Sequence, residues 1–439
     1  MPGISTTTSQ TPQKTPWGAV MLFCLLFAIF GFVTWLNGPL ITFSKLAFSL
    51  SDVEAFLVPS VFYLSYFFLA LPSAFILRKT GMKGGMALGL LVMAVGAACF
   101  GQFASMRMFP PTLVSLFLIG AGLSLLQTAS NPYISVLGPI ESGAQRIALL
   151  GFCNKLAGAA APLVIGALIL KGIGEMQAKV DAAADAAARE AILNGLAERI
   201  HMPYLIMGAF LAVIALFVYK SPLPNIGDDA NPGSGKSLTQ AIPQMLFGFL
   251  AIFFYVGVEV MAGDAIGTYG RMFDLPVSQT IFFTTFTMVT MLAGYICGFI
   301  AIPRFISQER YLALSAVLGI ALTIGAFLTK GYVSVGFVAA LGFANAMMWP
   351  AIFPLGIRGL GKHTEMGAAL LVMGIIGGAV IPQLFAHLKE TVNFQLVFLA
   401  LMVPAYAYIL LFGVLAGSGR PKAEPAAEKA TAGTIASDF

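Results

Sequence analysis

The chain has 439 residues, 24 of them Lys or Arg and 19 Asp or Glu, so charged residues make up 10% where a soluble domain carries about 25%. With 58% hydrophobic residues and a mean hydropathy of +0.89, it lacks the polar residues needed to cover a folded surface in water. That composition excludes a water-soluble enzyme, a disordered chain and a nucleic-acid-binding module.

Charge-free stretches run over residues 15–44, 55–77, 84–106, 108–140, 200–219, 237–258, 275–303, 311–329, 331–357, 366–388 and 391–419, and a further stretch, 147–170, is interrupted only by Lys155. Each is long enough to cross a hydrocarbon core as a helix, which takes about 20 apolar residues. Lipid offers no partner to backbone N–H and C=O groups, and barrel strands would read as ~10-residue alternating segments. The pattern predicts an all-α membrane protein with twelve transmembrane helices.

In chain order, the expectation is a cytoplasmic tail over 1–16, a six-helix bundle over 17–220 and a cytoplasmic linker over 221–240. A second six-helix bundle follows over 241–417, and a tail over 418–439. Between the fifth and sixth spans, the Ala-rich run VDAAADAAAREAILNGLAER predicts a surface helix over about 175–199. The linker, SPLPNIGDDANPGSGKSLTQ, is rich in Pro, Gly and Ser and reads as flexible.

With both termini inside, cytoplasmic connections carry 14 Lys and Arg against 9 outside, four of which lie in the one long outer loop. That asymmetry predicts cytoplasmic termini and absorbs most of the +5 net charge. Cys24, Cys99, Cys153 and Cys297 fall one per apolar segment and read as packing residues. The first apolar run is too long for a signal-peptide core, so no cleaved leader is expected.

The two halves repeat weakly. Pro132 to Gly138 and Pro350 to Gly356 share P-x4-L-G at an offset of 218, while Gly31 with Gly257 and Arg78 with Arg304 are offset by 226. Duplicated halves are the plan of secondary transporters, with a site between the repeats. A channel does not require that plan.

Polar residues inside the spans are costly and therefore informative. The fifth span carries Asn154 and Lys155, the seventh Glu259 with Asp264 and Arg271 towards its outer end. Trp35 and Asn37 lie on the first, Gln127 and Asn131 on the fourth, Asn345 and Trp349 on the tenth. Plainer readings stand beside the functional ones. Lys155 and Glu259 can be structural partners, Asp264 and Arg271 gate or exposed residues, and Asn131 with Pro132 a local helix adjustment. Either Trp can be packing or an interfacial anchor, but inside a span its ring can also stack on a sugar.

Amides and tryptophans around few charges suit a neutral polyhydroxylated ligand, because each amide offers both donor and acceptor. An anion site would show more cations, and a drug-exporting pocket would be more apolar. The predicted sugar contacts are Asn37, Gln127, Asn131 and Asn154, joined by Lys155, Asn345 and Trp349. An enzyme reading fails because His201, His363 and His387 lie in separate segments and form no ligand motif. A sensor would need a signalling domain, and the final tail is short.

The runs GFVTWLNGPL (31–40), LLQTASNPYISVLGPIESGAQRIALLGFCNKLAG (125–158), YVGVE (255–259) and WPAIFPLGIRGLGKHTEMGAALLVMGIIGGAVIP (349–382) resemble the fucose permease family of the major facilitator superfamily. The resemblance covers all twelve spans and implies a cation-coupled sugar importer working by alternating access. The fucose permease itself has carboxylates where this chain has Trp35 and Gln127, and the glucose/galactose branch has Asn-Asp where this chain reads Asn37-Gly38. TWLNGPLITF, Asn154-Lys155 and MAGD (261–264) look most similar to the N-acetylglucosamine permeases, so N-acetylglucosamine is expected first, then glucose or galactose.

Glu259 is then the leading candidate for the coupling carboxylate, as a buried carboxyl near a cation can bind and release a proton. Asp264 is the second candidate; at the 226 offset it corresponds to Gly38. A permanently charged Lys155 would instead replace the coupled cation and leave an uncoupled facilitator. The expected partners are a sugar and the lipid bilayer, with no nucleic acid, in a monomer of the bacterial inner membrane. No cofactor is expected beyond a co-transported proton or sodium ion.

Overall fold

A computed structural model describes residues 17–136, 143–221, 237–302 and 304–418. The predicted linker therefore lies largely outside the described residues, as do both tails. Among the described residues the chain is nearly all helix.

The first crossing, α1, spans Gly18–Ala47 and breaks at Trp35 and Leu36. Pro39 has no N–H to return to the Trp35 carbonyl, which accounts for the break. The next apolar stretch, Asp52–Ser105, has 54 residues, about 80 Å of helix and too long for a single crossing. Within it Gly81 takes φ 68° and ψ 166°, a conformation that glycine adopts without strain, and the chain reverses there. It is therefore two crossings, α2 (52–80) and α3 (82–105).

The helices α4 (Phe109–Val136), α5 (Gly143–Leu168), α6 (His201–Lys220) and α7 (Leu238–Gly263) follow, and α7 continues as a short helix Ile266–Arg271. Beyond them come α8 (Phe283–Ala301) and α9 (Gln308–Leu328). In α10, Gly331–Asn345 meets Met348–Ile357 at 40°. Here Pro350 cannot donate to the Ala346 carbonyl at the bend. The last two are α11 (Met366–Leu388) and α12 (Phe394–Ser418), giving twelve crossings among the described residues once the 52–105 stretch is divided at Gly81.

The loop after α5 departs from the single helix expected over 175–199. It forms two helices, Ile173–Asp181 and Ala186–Glu198, because Asp185 caps the second by accepting from the Ala188 N–H at 2.7 Å. Arg107 pins this second helix through Glu190 and Asn194, and its Nε donates to the Ala47 carbonyl.

Close packing repeats along the chain. α1 lies on α5, where a methyl placed on Gly31 would sit 1.8 Å from the Asn154 carbonyl oxygen. α7 lies on α11 in the same way, a methyl on Gly377 meeting the Phe253 carbonyl oxygen at 1.8 Å. Glycine is required at both because no side chain fits between the backbones. Towards lipid, α6 presents the stripe Met202, Ile206, Phe210, Val213 and Phe217, all exposed, at the spacing of one helix face.

Several contacts cross between the helices before and after residue 221, among them α5 on α8 and α2 on α11. At the end carrying Asp52, that carboxylate is shared by Lys45 of α1 and Lys389 just after α11. Nearby, Gln383 of α11 donates to the Val53 carbonyl at 3.1 Å and accepts from Ser60. These contacts join α2 to α11 above the central cavity.

Candidate functional site

The break in α1 turns the Trp35 indole into the protein, where it is 2% exposed. Its slot is made by two glycines: a methyl on Gly158 of α5 or Gly263 of α7 would lie 2.4 Å or 2.2 Å from the ring. One turn from Gly158, Lys155 brings its Nζ over the indole face, 4.6 Å from the ring centre.

The same ammonium donates to Glu259 Oε1 at 2.8 Å, so α5 and α7 are joined by a buried ion pair. Tyr255, one turn earlier on α7, donates to the same oxygen at 2.8 Å. Removing either charge would leave the other desolvated without a partner, a cost of about 3–5 kcal/mol.

Below this pair is a cavity of about 120 Å³ whose wall includes Trp35, Lys155, Glu259, Gln127, Asn154 and Trp349. Trp349 is half-buried and stacks on Phe353 at 5.5 Å, with Tyr255 at 6.4 Å on a tilt. Asn154 keeps its place by donating to the Phe27 carbonyl at 3.2 Å. The ion pair is neutral as a unit, so the cavity offers amides, hydroxyls and an aromatic face with no net charge.

Of the predicted sugar contacts, Gln127, Asn154, Lys155 and Trp349 meet in this wall. Asn345 does not line it; its Oδ1 accepts from Tyr406 of α12 at 2.8 Å. Asn37 is 1% exposed and lies off the wall, past the break in α1. Asn131 is on α4, with its side chain outside the described residues.

The two carboxylates separate in the same way. Glu259 lines the cavity, whereas Asp264 is buried one layer towards the Asp52 end and accepts from the Tyr63 hydroxyl at 3.2 Å. Asp264 also meets Gly38: a methyl on Gly38 would lie 3.3 Å from the Asp264 Cα. The two positions 226 residues apart are therefore in contact. Arg271 is half-buried at the end of the short helix after α7.

Sequence reasoning overlooked the tyrosines Tyr63, Tyr66, Tyr255 and Tyr295, which line the cavity. Tyr255 was findable, lying four residues before Glu259 on one helix face. Tyr63 and Tyr66 stand in an aromatic-rich run with no distinguishing spacing.

A family model described as the major facilitator superfamily matches residues 23–382. A glucose/galactose transporter of Brucella abortus is 30% identical over 413 residues, 93% of this chain and 96% of that protein. An L-fucose-proton symporter of Escherichia coli is 30% identical over 405 residues, 89% and 91% of the two chains. Among solved structures, a major facilitator superfamily transporter, FucP, in the outward conformation matches with a TM-score of 0.72 at 27% identity, covering 91% of this chain and 98% of that one.

Proposed function

The chain belongs to the major facilitator superfamily, and on that premise we propose that it imports a neutral monosaccharide by cation-coupled symport with alternating access. The observation that carries this reading is the cavity wall, where Lys155 and Glu259 cancel each other beside Gln127, Asn154 and the Trp349 ring. Such a wall matches hydroxyls and an apolar sugar face, and it gives an anion no uncompensated cation.

We assign the Asp52 end to the outside and both termini to the cytoplasm, in keeping with the excess of Lys and Arg on the other connections. The protein then acts as a monomer in a bacterial inner membrane. Sugar and cation together favour closure of the outer side through the α2–α11 contacts, and their release inside permits return. Coupling requires each to bind one state better than the other. Glu259 is the leading candidate for the coupling carboxylate and Asp264 the second candidate.

For the sugar itself, the similarity to a glucose/galactose transporter supports glucose or galactose. N-acetylglucosamine rests on TWLNGPLITF, Asn154-Lys155 and MAGD alone. Uptake of labelled glucose, galactose, fucose and N-acetylglucosamine in proteoliposomes, under an imposed proton or sodium gradient, separates them. Accumulation driven by neither gradient sinks the symport reading.

A second reading, an uncoupled facilitator, draws on the 2.8 Å Lys155–Glu259 pair, in which the ammonium stands where a coupled cation would bind. It predicts equilibration of the sugar without accumulation, and the same experiment measures it.

A further inference from the structure

Tyr63 belongs both to the cavity and to the buried carboxyl beyond it. Its residue lines the cavity with Lys155 and Glu259, while its hydroxyl donates to Asp264 Oδ2 at 3.2 Å. Tyr63 lies on α2 and Asp264 immediately after α7, on opposite sides of residue 221, so this hydrogen bond crosses the interface that must rearrange during transport.

The ring has little freedom. A methyl on Gly378 of α11 would lie 3.1 Å from it, and Phe62 meets it edge-on at 5.2 Å. Asp264 is equally confined, with Gly38 of α1 against it and the preceding Gly263 carbonyl accepting from Thr284 of α8 at 2.7 Å. The other ionisable groups facing the pair are Glu259 of α7, Lys155 of α5 and Tyr66 of α2. A ligand that moves the Tyr63 ring must therefore stretch or bend its bond to Asp264, because neither partner can follow freely.

We propose that Tyr63 is a positioning residue that ties sugar occupancy of the cavity to the Asp264 carboxyl, its ring sensing the ligand and its hydroxyl holding the acid. This rests on the symport reading above and adds the element through which the sugar reaches the second carboxylate. Coupling needs such an element, since two ligands influence each other only through states they bind unequally.

Tyr63→Phe retains the ring and removes the hydroxyl. In proteoliposomes gradient-driven accumulation is expected to fall about tenfold, several-fold more than counterflow exchange of the transported sugar falls, the split expected for lost coupling with retained binding. Infrared difference spectra, with the Asp264 carboxyl band assigned by Asp264→Asn, give a second measurement that does not require transport. The band should move in Tyr63→Phe without sugar, and the shift that sugar produces in wild type should disappear. Wild-type accumulation in the variant, or an unmoved Asp264 band, overturns this inference alone. A wild-type protein that exchanges no sugar of the panel overturns the transport reading and this inference with it.

Discussion

Lys155 Nζ lies 2.8 Å from Glu259 Oε1, and this one contact joins α5 to α7 across the wall of the central cavity while the same ammonium rests on the Trp35 indole. Both side chains are about nine-tenths buried, so the pair is a matched unit and its members are not interchangeable with neutral residues one at a time.

The first prediction is a double-mutant cycle. Glu259→Gln or Lys155→Met alone should destabilise the purified protein by about 3–5 kcal/mol, by leaving one buried charge unpaired. The double variant should lose less than the sum, because no orphaned charge remains. Thermal unfolding in detergent measures both, and additive losses would contradict the pairing.

Transport in Glu259→Gln separates two roles. If Glu259 is the coupling acid, counterflow exchange persists while accumulation against a gradient is lost. Equal loss of both would assign it to sugar binding instead.

The glycine slot around Trp35 leads to a third test. Gly263→Ala should push the indole from its place, since the added methyl would start 2.2 Å from the ring. Overpacking of this kind costs about 1–3 kcal/mol. Trp35 emission, read in a background with Trp17 and Trp349 replaced by Phe, should shift along with the loss of stability. Unchanged emission would mean that the slot has room to spare.

Of the two tryptophans in the cavity wall, Trp349 is the one whose ring is not covered by Lys155. Trp349→Ala should raise KM for the sugar about 2- to 12-fold, the equivalent of about 0.5–1.5 kcal/mol of aromatic contact, and Trp349→Phe should raise it less. An unaltered KM in concentration-dependent uptake would remove Trp349 from the binding wall.

Asp52 carries the fifth prediction. It bridges Lys45 and Lys389, so Asp52→Asn should weaken the α2–α11 closure at that end. A cysteine placed at Thr34, in a background without the four native cysteines, should then react several-fold faster with an impermeant maleimide added from the Asp52 side. Equal rates would show that Gln383 and Ser60 hold the closure unaided.

The membrane class and the number of crossings were legible in the chain because hydropathy and charge act locally: each apolar stretch must bury its own backbone in lipid, whatever its neighbours do. The polar exceptions Lys155 and Glu259 were legible for the same reason, as a charge in such a stretch is conspicuous in one dimension. Partnership is a different kind of information. It depends on how each helix is rotated and how closely backbones approach, and those are set by contacts far apart in sequence, such as Gly31 on Asn154 or Gly158 and Gly263 on Trp35. That is why folding was needed to give the Trp35 face to Lys155, draw Asn345 to Tyr406 and bring Tyr63 from an unremarkable aromatic run to the carboxyl of Asp264.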